Sequence, residues 1–216
     1  MIRGIFWDND GVLVDTEGLY YRASAEALGE LGIELSREEF IERSLRQGES
    51  VFALAAERGH TATVVRTMQE KRNDRYAALL AEGIEPLRGV EEVLRALHGR
   101  MRMAVVTSSR RRHFEIIHRH TGLLPYFDFV LTREDYHHAK PDPEPYLSAL
   151  ERSGLLPEEC LVVEDTERGL RAAVAAGLRC LVVPGELTAG GDFTAATAVL
   201  AGIHEIPKML STGSIF

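Results

Sequence analysis

The sequence predicts an α/β fold in which a parallel sheet is interrupted, after its first strand, by an all-helical insertion. Three observations carry this reading. From Pro86 onward, short apolar runs alternate with helix-length amphipathic stretches, the pattern of strands joined by crossover helices. A further strand-like run, residues 2–7, opens the chain. Between Glu17 and about Glu85 no such run occurs, and Leu, Ala, Tyr and Phe recur at helical spacing instead.

The first run delivers two carboxylates, Asp8 and Asp10, followed at once by Gly11. Ligand sites in parallel α/β sheets lie at the carboxyl ends of strands, and both acids are at that end. Residues two apart in an extended chain project to the same side, and Gly11 permits a sharp turn after them. Two neighbouring carboxylates repel unless a cation or a shared proton lies between them. Mg²⁺ suits such a pair, since it prefers oxygen ligands and keeps waters that a phosphate can replace. The same residues also fit a strand end with solvated acids and a turn glycine, and the motif alone leaves both readings open.

Helices follow near residues 17–31, 37–47, 50–58 and 62–82. They are punctuated by Gly32, Gly48, Gly59 and Gly83, with Ser36 and Glu39 spaced as a capping box. Both ends of this insertion cross at one place in the sheet, so the crossings can serve as a hinge. The α/β rhythm then resumes with a helix at 89–98, a strand at 101–107, a helix at 112–121 and a strand at 127–131. A helix at 145–153 precedes a strand at 160–163, and a helix at 167–176 precedes a strand at 179–183. A small edge strand at 198–200 and a terminal helix complete the chain.

Three further strand ends carry polar groups suited to one site. The 101–107 run ends in Thr107-Ser108-Ser109, whose hydroxyls and amides fit either a phosphoryl oxygen or an ordinary helix cap. Lys140 precedes a Pro-x-Pro-x-Pro run that stiffens the backbone and fixes where the lysine points. The 160–163 run ends in Glu164-Asp165, before a helix rich in alanine whose small side chains allow close packing on the sheet.

In order, Asp8-Asn9-Asp10-Gly11-Val12-Leu13-Val14-Asp15-Thr16-Glu17, Thr107, Lys140 and Glu164-Asp165-Thr166-Glu167-Arg168-Gly169 resemble the four motifs of the haloacid dehalogenase-like hydrolases. The likeness is greatest to the branch holding β-phosphoglucomutase and small sugar-phosphate phosphatases, and it covers nearly the whole chain. It implies a Rossmann-like core, residues 1–15 and 86–216, with a helical cap domain, residues 16–85. Asp8 would be the nucleophile that forms an aspartyl-phosphate, and Asp10 the acid and base. Thr107, Ser108 and Lys140 would cradle the transferring oxygens. Mg²⁺ would be held by Asp8, the Asp10 carbonyl and Asp165, with Glu164 a ligand or a partner behind the ligands.

Departures from relatives narrow the activity. Asp10 is present, where dehalogenases usually lack the second acid, and the first cap helix has no Lys to form the Schiff base of a phosphonatase. β-Phosphoglucomutase has His where this chain has Tyr20, and Lys-Gly-x-Ser-Arg where it reads Gln47-Gly48-Glu49-Ser50-Val51. Net hydrolysis of a small phosphomonoester, a sugar or polyol phosphate, is therefore preferred over a phosphomutase. Arg46, beside Gln47, argues the other way. A phosphate-binding protein without turnover would be signalled by loss of Asp8 or Asp10. Arg111, within Arg110-Arg111-Arg112, occupies a position where relatives touch substrate.

A formal charge of −8 gives no basic footprint for nucleic acid. No stretch has the length of a signal peptide or membrane span, and Cys160 and Cys180 sit in apolar runs as reduced thiols, so a cytoplasmic protein is the expectation, with a monomer as the default. The eight His lack metal-ligand spacing, and His113, His118, His120, His137 and His138 are expected on the surface.

Overall fold

A computed structural model describes residues 1–212. It holds a six-stranded parallel sheet in the order β3-β2-β1-β4-β5-β6. The strands are β1 (Gly4–Trp7), β2 (Arg102–Val106), β3 (Phe129–Leu131), β4 (Cys160–Glu164), β5 (Arg179–Val182) and β6 (Ala198–Val199). Strand order reverses at β1, so the crevice beyond its carboxyl end is the place where such sheets bind ligands. Trp7 is level with Val105 on one side and Val163 on the other, which brings the residues after all three strands to one edge.

Alternation along the strands divides the core. Ile5, Trp7, Met103, Val105, Leu161 and Val163 face helices α5 (Val90–Leu97), α6 (Arg111–His118) and α9 (Ile206–Thr212). Phe6, Ala104, Val106, Cys160 and Val162 face α7 (Glu144–Ser153) and α8 (Glu167–Ala175). Ala172 and Ala173 of α8 are fully buried, the close approach that the alanine-rich sequence anticipates.

The insertion comprises α1 (Glu17–Gly29), α2 (Arg37–Phe40), α3 (Ala53–Glu57) and α4 (Ala62–Leu80). From Ile41 to Gln47 the second helix continues as a π-helix, a widening the periodicity does not reveal and one often found at functional sites. Phe40, Phe52, Leu28, Ile33 and Met68 give these helices their own apolar cluster. The chain leaves and returns side by side, with Val14 bridged to Pro86 and the Leu87 amide donating to the Leu13 carbonyl at 2.9 Å. Away from these crossings, the loop after β5 also touches the insertion. Leu187 packs on its apolar cluster, Arg37 pairs with Glu186 at 2.6 Å, and Arg46 donates to the Gly190 carbonyl at 2.5 Å.

Two histidines differ from the surface expectation. His113 and His118 are buried on α6, because that helix turns one face to the sheet and another to α4. Among the described residues, no helix is long and apolar enough to cross a membrane.

Candidate active site

Asp8 extends β1 by one residue, its amide bonded to the Val163 carbonyl at 2.9 Å, so its carboxylate stands at the crevice between β1 and β4. The turn after it requires Gly11, which has φ +83°. A β-carbon there would lie 2.1 Å from an Asp165 carboxylate oxygen. The backbone of the first motif thus lies directly against the acid of the last. Gly169 plays the matching part on α8, where a β-carbon would overlap the Glu164 carboxylate at 2.0–2.1 Å.

Lys140 is the electrostatic centre. It is buried, and Nζ donates to Asp8 Oδ1 at 2.6 Å, to Glu164 Oε1 at 2.6 Å and to the Val106 carbonyl at 2.8 Å, satisfying its three donors. Burial works against its charge, but the Asp8 and Glu164 carboxylates outweigh this and hold the ammonium above its ordinary pKa. Glu164 also accepts from Tyr146 Oη at 2.6 Å, and its other oxygen takes Thr166 Oγ1 at 3.1 Å and the Asp165 amide at 3.3 Å. Burial opposes its charge too, yet Lys140 keeps it ionised. With so many donors engaged, Glu164 serves chiefly to hold Lys140 in place.

Asp165 is the opposite case. Both its carboxylate oxygens are buried and have no hydrogen-bond partner among the described residues. Burial, then the charges of Glu17, Asp8 and Glu164, push its pKa well up, and burial raises Asp8 to about 7 against the pull of Lys140. One oxygen each of Asp8, Glu164 and Asp165 lies within 4.8 Å of the others. Orphaned, buried carboxylate oxygens crowded in this way suit a hard divalent cation, so the donor set fits Mg²⁺.

Asp10 projects into a cradle of hydroxyls. Thr16 donates to Oδ1, and Thr107 Oγ1 and Ser109 Oγ donate to Oδ2 at 3.2 and 2.8 Å. Thr107 in turn accepts from the Ser109 amide at 3.0 Å. Thr16 stands at the N-cap of α1 but makes no capping bond, its side chain being diverted to Asp10. Such a cradle suits a group that changes charge, because a hydroxyl either donates to a carboxylate or accepts from a carboxylic acid.

These groups line a cavity of about 310 Å³ that is roofed by the insertion. Tyr20, Val51, Arg72, Asn73 and Tyr76 descend into it, and Ser108, Arg110, His113 and Arg168 approach from the core. Arg72 is buried with its guanidinium carbon 4.5 Å from the Tyr20 ring centroid and 5.3 Å from that of Phe52, and Nε donates to Asn73 Oδ1 at 3.0 Å. Glu17, at the first crossing, is pushed up to about 8 by burial, against the pull of Arg168.

Of the residues singled out from the sequence, Asp8, Asp10, Thr107, Ser108 and Lys140 meet at this cavity, and Glu164 and Asp165 lie directly behind it. Arg111 does not reach it. Its side chain pairs with Asp135 at 2.7 Å and its amide with Glu134 at 2.9 Å, and Arg110, one residue earlier, lines the cavity instead. The acids of the short turn at 133–135 draw Arg111 sideways, a tertiary effect that no local spacing records. The sequence does not assign Thr16 and Ser109 to Asp10, although a hydroxyl at each strand or helix boundary near the acids is the available signal.

A family profile for haloacid dehalogenase-like hydrolases matches residues 5–183. The chain belongs to that family. It is 31% identical over 175 residues to the fructose-1-phosphate phosphatase YqaB of Escherichia coli, covering 81% of this chain and 93% of that one. To protein CbbY of Cereibacter sphaeroides it is 33% identical, covering 95% and 94%. The crystal structure of a CbbY variant from Rhodobacter sphaeroides in complex with xylulose-(1,5)bisphosphate superposes with a TM-score of 0.81 at 30% identity, covering 94% of this chain and 95% of that one. The α/β sheet with helices on both faces is the fold of these haloacid dehalogenase-like neighbours.

Proposed function

We propose that this chain is a Mg²⁺-dependent phosphatase that hydrolyses a small phosphomonoester, a sugar or polyol phosphate, through an aspartyl-phosphate on Asp8. The observation that carries the reading is the placement of Asp8. It is held at the strand end by buried Lys140, with Asp10 in its hydroxyl cradle facing the same cavity.

In this reading an Asp8 oxygen attacks phosphorus and the bond to the ester oxygen breaks. Asp10 gives the departing alkoxide its proton, then takes a proton from the water that attacks the aspartyl-phosphate and releases phosphate. Lys140 anchors Asp8 and offsets the negative charge of the approaching phosphoryl group. Mg²⁺, held by Asp8, Asp165 and the Asp10 carbonyl, would supply further neutralisation of that charge. Residues 16–85 act as the cap that excludes bulk water, and residues 1–15 and 86–216 form the core that carries the chemistry.

The names of the relatives support a phosphorylated carbohydrate as substrate, one being a fructose-1-phosphate phosphatase and another structure holding a sugar bisphosphate. The cavity supports hydrolysis over phosphoryl return. Val51 is buried where the mutase has Arg, Gln47 donates outside the cavity to Glu42 at 2.8 Å, and Arg46 is spent on Glu42 and Gly190. Two buried free thiols, Cys160 and Cys180, support a reducing cytoplasmic setting.

The test is phosphate release from a panel of phosphomonoesters with and without Mg²⁺, using wild type and Asp8→Asn. Release that needs both the metal and Asp8 is expected. Release that survives Asp8→Asn, or isomerisation of glucose 1-phosphate without net release, overturns the reading.

A further inference from the structure

Asn9 stands between the two acids of the first motif, and because neighbouring residues of an extended chain face opposite ways its side chain turns away from the cavity. It is fully buried, and its Oδ1 meets Nε2 of His118, 2.7 Å away and 4% exposed, at the end of α6. His118 Nδ1 lies 2.9 Å from Thr121 Oγ1, which also receives the Leu123 amide at 3.4 Å. Burial pushes the imidazole down to about 4, so the ring is neutral near neutral pH and has one donor and one acceptor nitrogen. The chain of bonds then runs in one direction: Leu123 N–H to Thr121 Oγ, Thr121 O–H to His118 Nδ1, and His118 Nε2–H to Asn9 Oδ1. Bonds aligned in this way polarise and strengthen one another in a dry interior.

The other end of Asn9 carries the catalytic turn. Its backbone carbonyl receives the amides of Leu13 at 2.8 Å, Val14 at 3.2 Å and Val12 at 3.3 Å, so the turn that follows Asp10 is suspended from this residue. The Asn9 Nδ2 amide has no partner among the described residues, which leaves His118 as the polar anchor of the side chain among them.

We infer that His118 and Asn9 are positioning residues, a buried anchor that fixes the Asp8–Asp10 turn against α6 and so sets the relative placement of nucleophile and acid/base. The catalytic consequence rests on the phosphatase reading, whereas the anchoring does not. Small displacements of reacting groups are costly, with misplacement of about 1 Å able to cost roughly 10²-fold in rate.

The test uses the full chain and four variants, His118→Leu, His118→Gln, Asn9→Leu and the double Asn9→Leu/His118→Leu. Amide hydrogen exchange is read at Leu13 and Val14, with kcat and KM measured for the best ester of the panel. For His118→Leu, exchange at the turn is expected to rise about tenfold and kcat to fall about tenfold, with KM within about twofold. His118→Gln, whose amide can again donate to Asn9, should recover most of both. The double variant should be no worse than either single one, since the two side chains act as one unit. Unchanged turn exchange in His118→Leu and in Asn9→Leu overturns the inference, even where the melting temperature falls. So does a double variant whose losses multiply. If wild type hydrolyses no ester, the phosphatase reading fails, while the exchange measurement still decides whether His118 anchors the turn.

Discussion

The strand ends and the helical roof line the same cavity but hold their charges differently. At the strand ends every donor of Lys140 is matched to a fixed acceptor, and Glu164 is tied by Tyr146, Thr166 and the Asp165 amide. In the roof, Arg72 lies over two aromatic faces with a single amide partner beside it. Interlocked bonds fix geometry, and aromatic faces tolerate a cation that shifts. In the proposed reading the chemistry is thus carried by the core and recognition of the substrate by the insertion.

The largest effects should come from the interlocked half. Asp8→Asn is expected to lower phosphate release by at least about 10³-fold, because it removes the attacking group. It should leave the protein at least as stable, since a desolvated carboxylate is replaced by a neutral amide while Glu164 still pairs with Lys140. Lys140→Met should abolish turnover and also cost roughly 3–5 kcal/mol of stability, because it leaves Asp8 and Glu164 buried without their cation. Denaturant unfolding of the two variants separates these outcomes. Equal stability of the two would show that Lys140 is not the keystone of the cluster.

The contrast was partly legible in the sequence. The strand positions followed from apolar runs and their β-branched residues, and the acids and Thr107 follow those runs directly, so one-dimensional order already encoded their proximity, whereas Lys140 lies beyond the irregular stretch after β3 and is marked only by the prolines that follow it. Arg111 misled because its direction is decided by Asp135, far along the chain. The surface expectation for His118 fails because a helix of eight residues gives little periodicity from which to judge a face. Its partner Asn9 adjoins the acids in sequence, but an alternating strand turns it to the opposite face, and nothing local names the helix it meets. Thr16 stands at the N-cap position of α1 yet serves Asp10, a local rule set aside at a functional position.

Next in size is the response to metal and pH. Without metal, Asp8 titrates near 7 and Glu17 near 8, both above the usual carboxylate range. A carboxyl group with a raised pKa binds its proton more tightly when folded, so its contribution to stability is present at low pH and is lost as pH rises through the folded value. The metal-free melting temperature should therefore fall between about pH 7 and 8.5, by which point an unfolded His is already largely neutral. Mg²⁺ should reverse that fall, and its binding near pH 6.5 should release protons, detected by calorimetry in buffers of different ionisation enthalpy. A metal affinity that does not change between pH 6 and 8 would remove Asp8 from the ligand set.

Tyr146→Phe tests the core one bond at a time. Loss of the 2.6 Å bond to Glu164 should cost about 1–2 kcal/mol and lower kcat modestly through Lys140, leaving KM nearly unchanged. Arg72→Met, in the roof, should do the reverse. KM should rise about tenfold, the equivalent of about 1.4 kcal/mol of binding, with the melting temperature close to wild type. If Arg72→Met instead lowers kcat and spares KM, the division between fixed chemistry and adaptable recognition fails.

The smallest effect should come from the rim, where the two regions meet away from the hinge. Arg37 and Glu186 lie 2.6 Å apart, but their side chains are 48% and 84% exposed, so water screens the pair and little stability depends on it. Glu186→Gln should change unfolding free energy by less than about 1 kcal/mol, within the range for exposed pairs. Its effect on turnover should show only where opening of the roof limits the rate. Leu187 and the Arg46 bond to Gly190 remain to hold the loop against the insertion, so a single surface charge should not free it. A kcat higher in Glu186→Gln than in wild type, with a weaker dependence on added viscosogen, would show that this pair does more than its exposure allows. The roof would then be latched by charge at its rim as well as suspended at Val14 and Pro86.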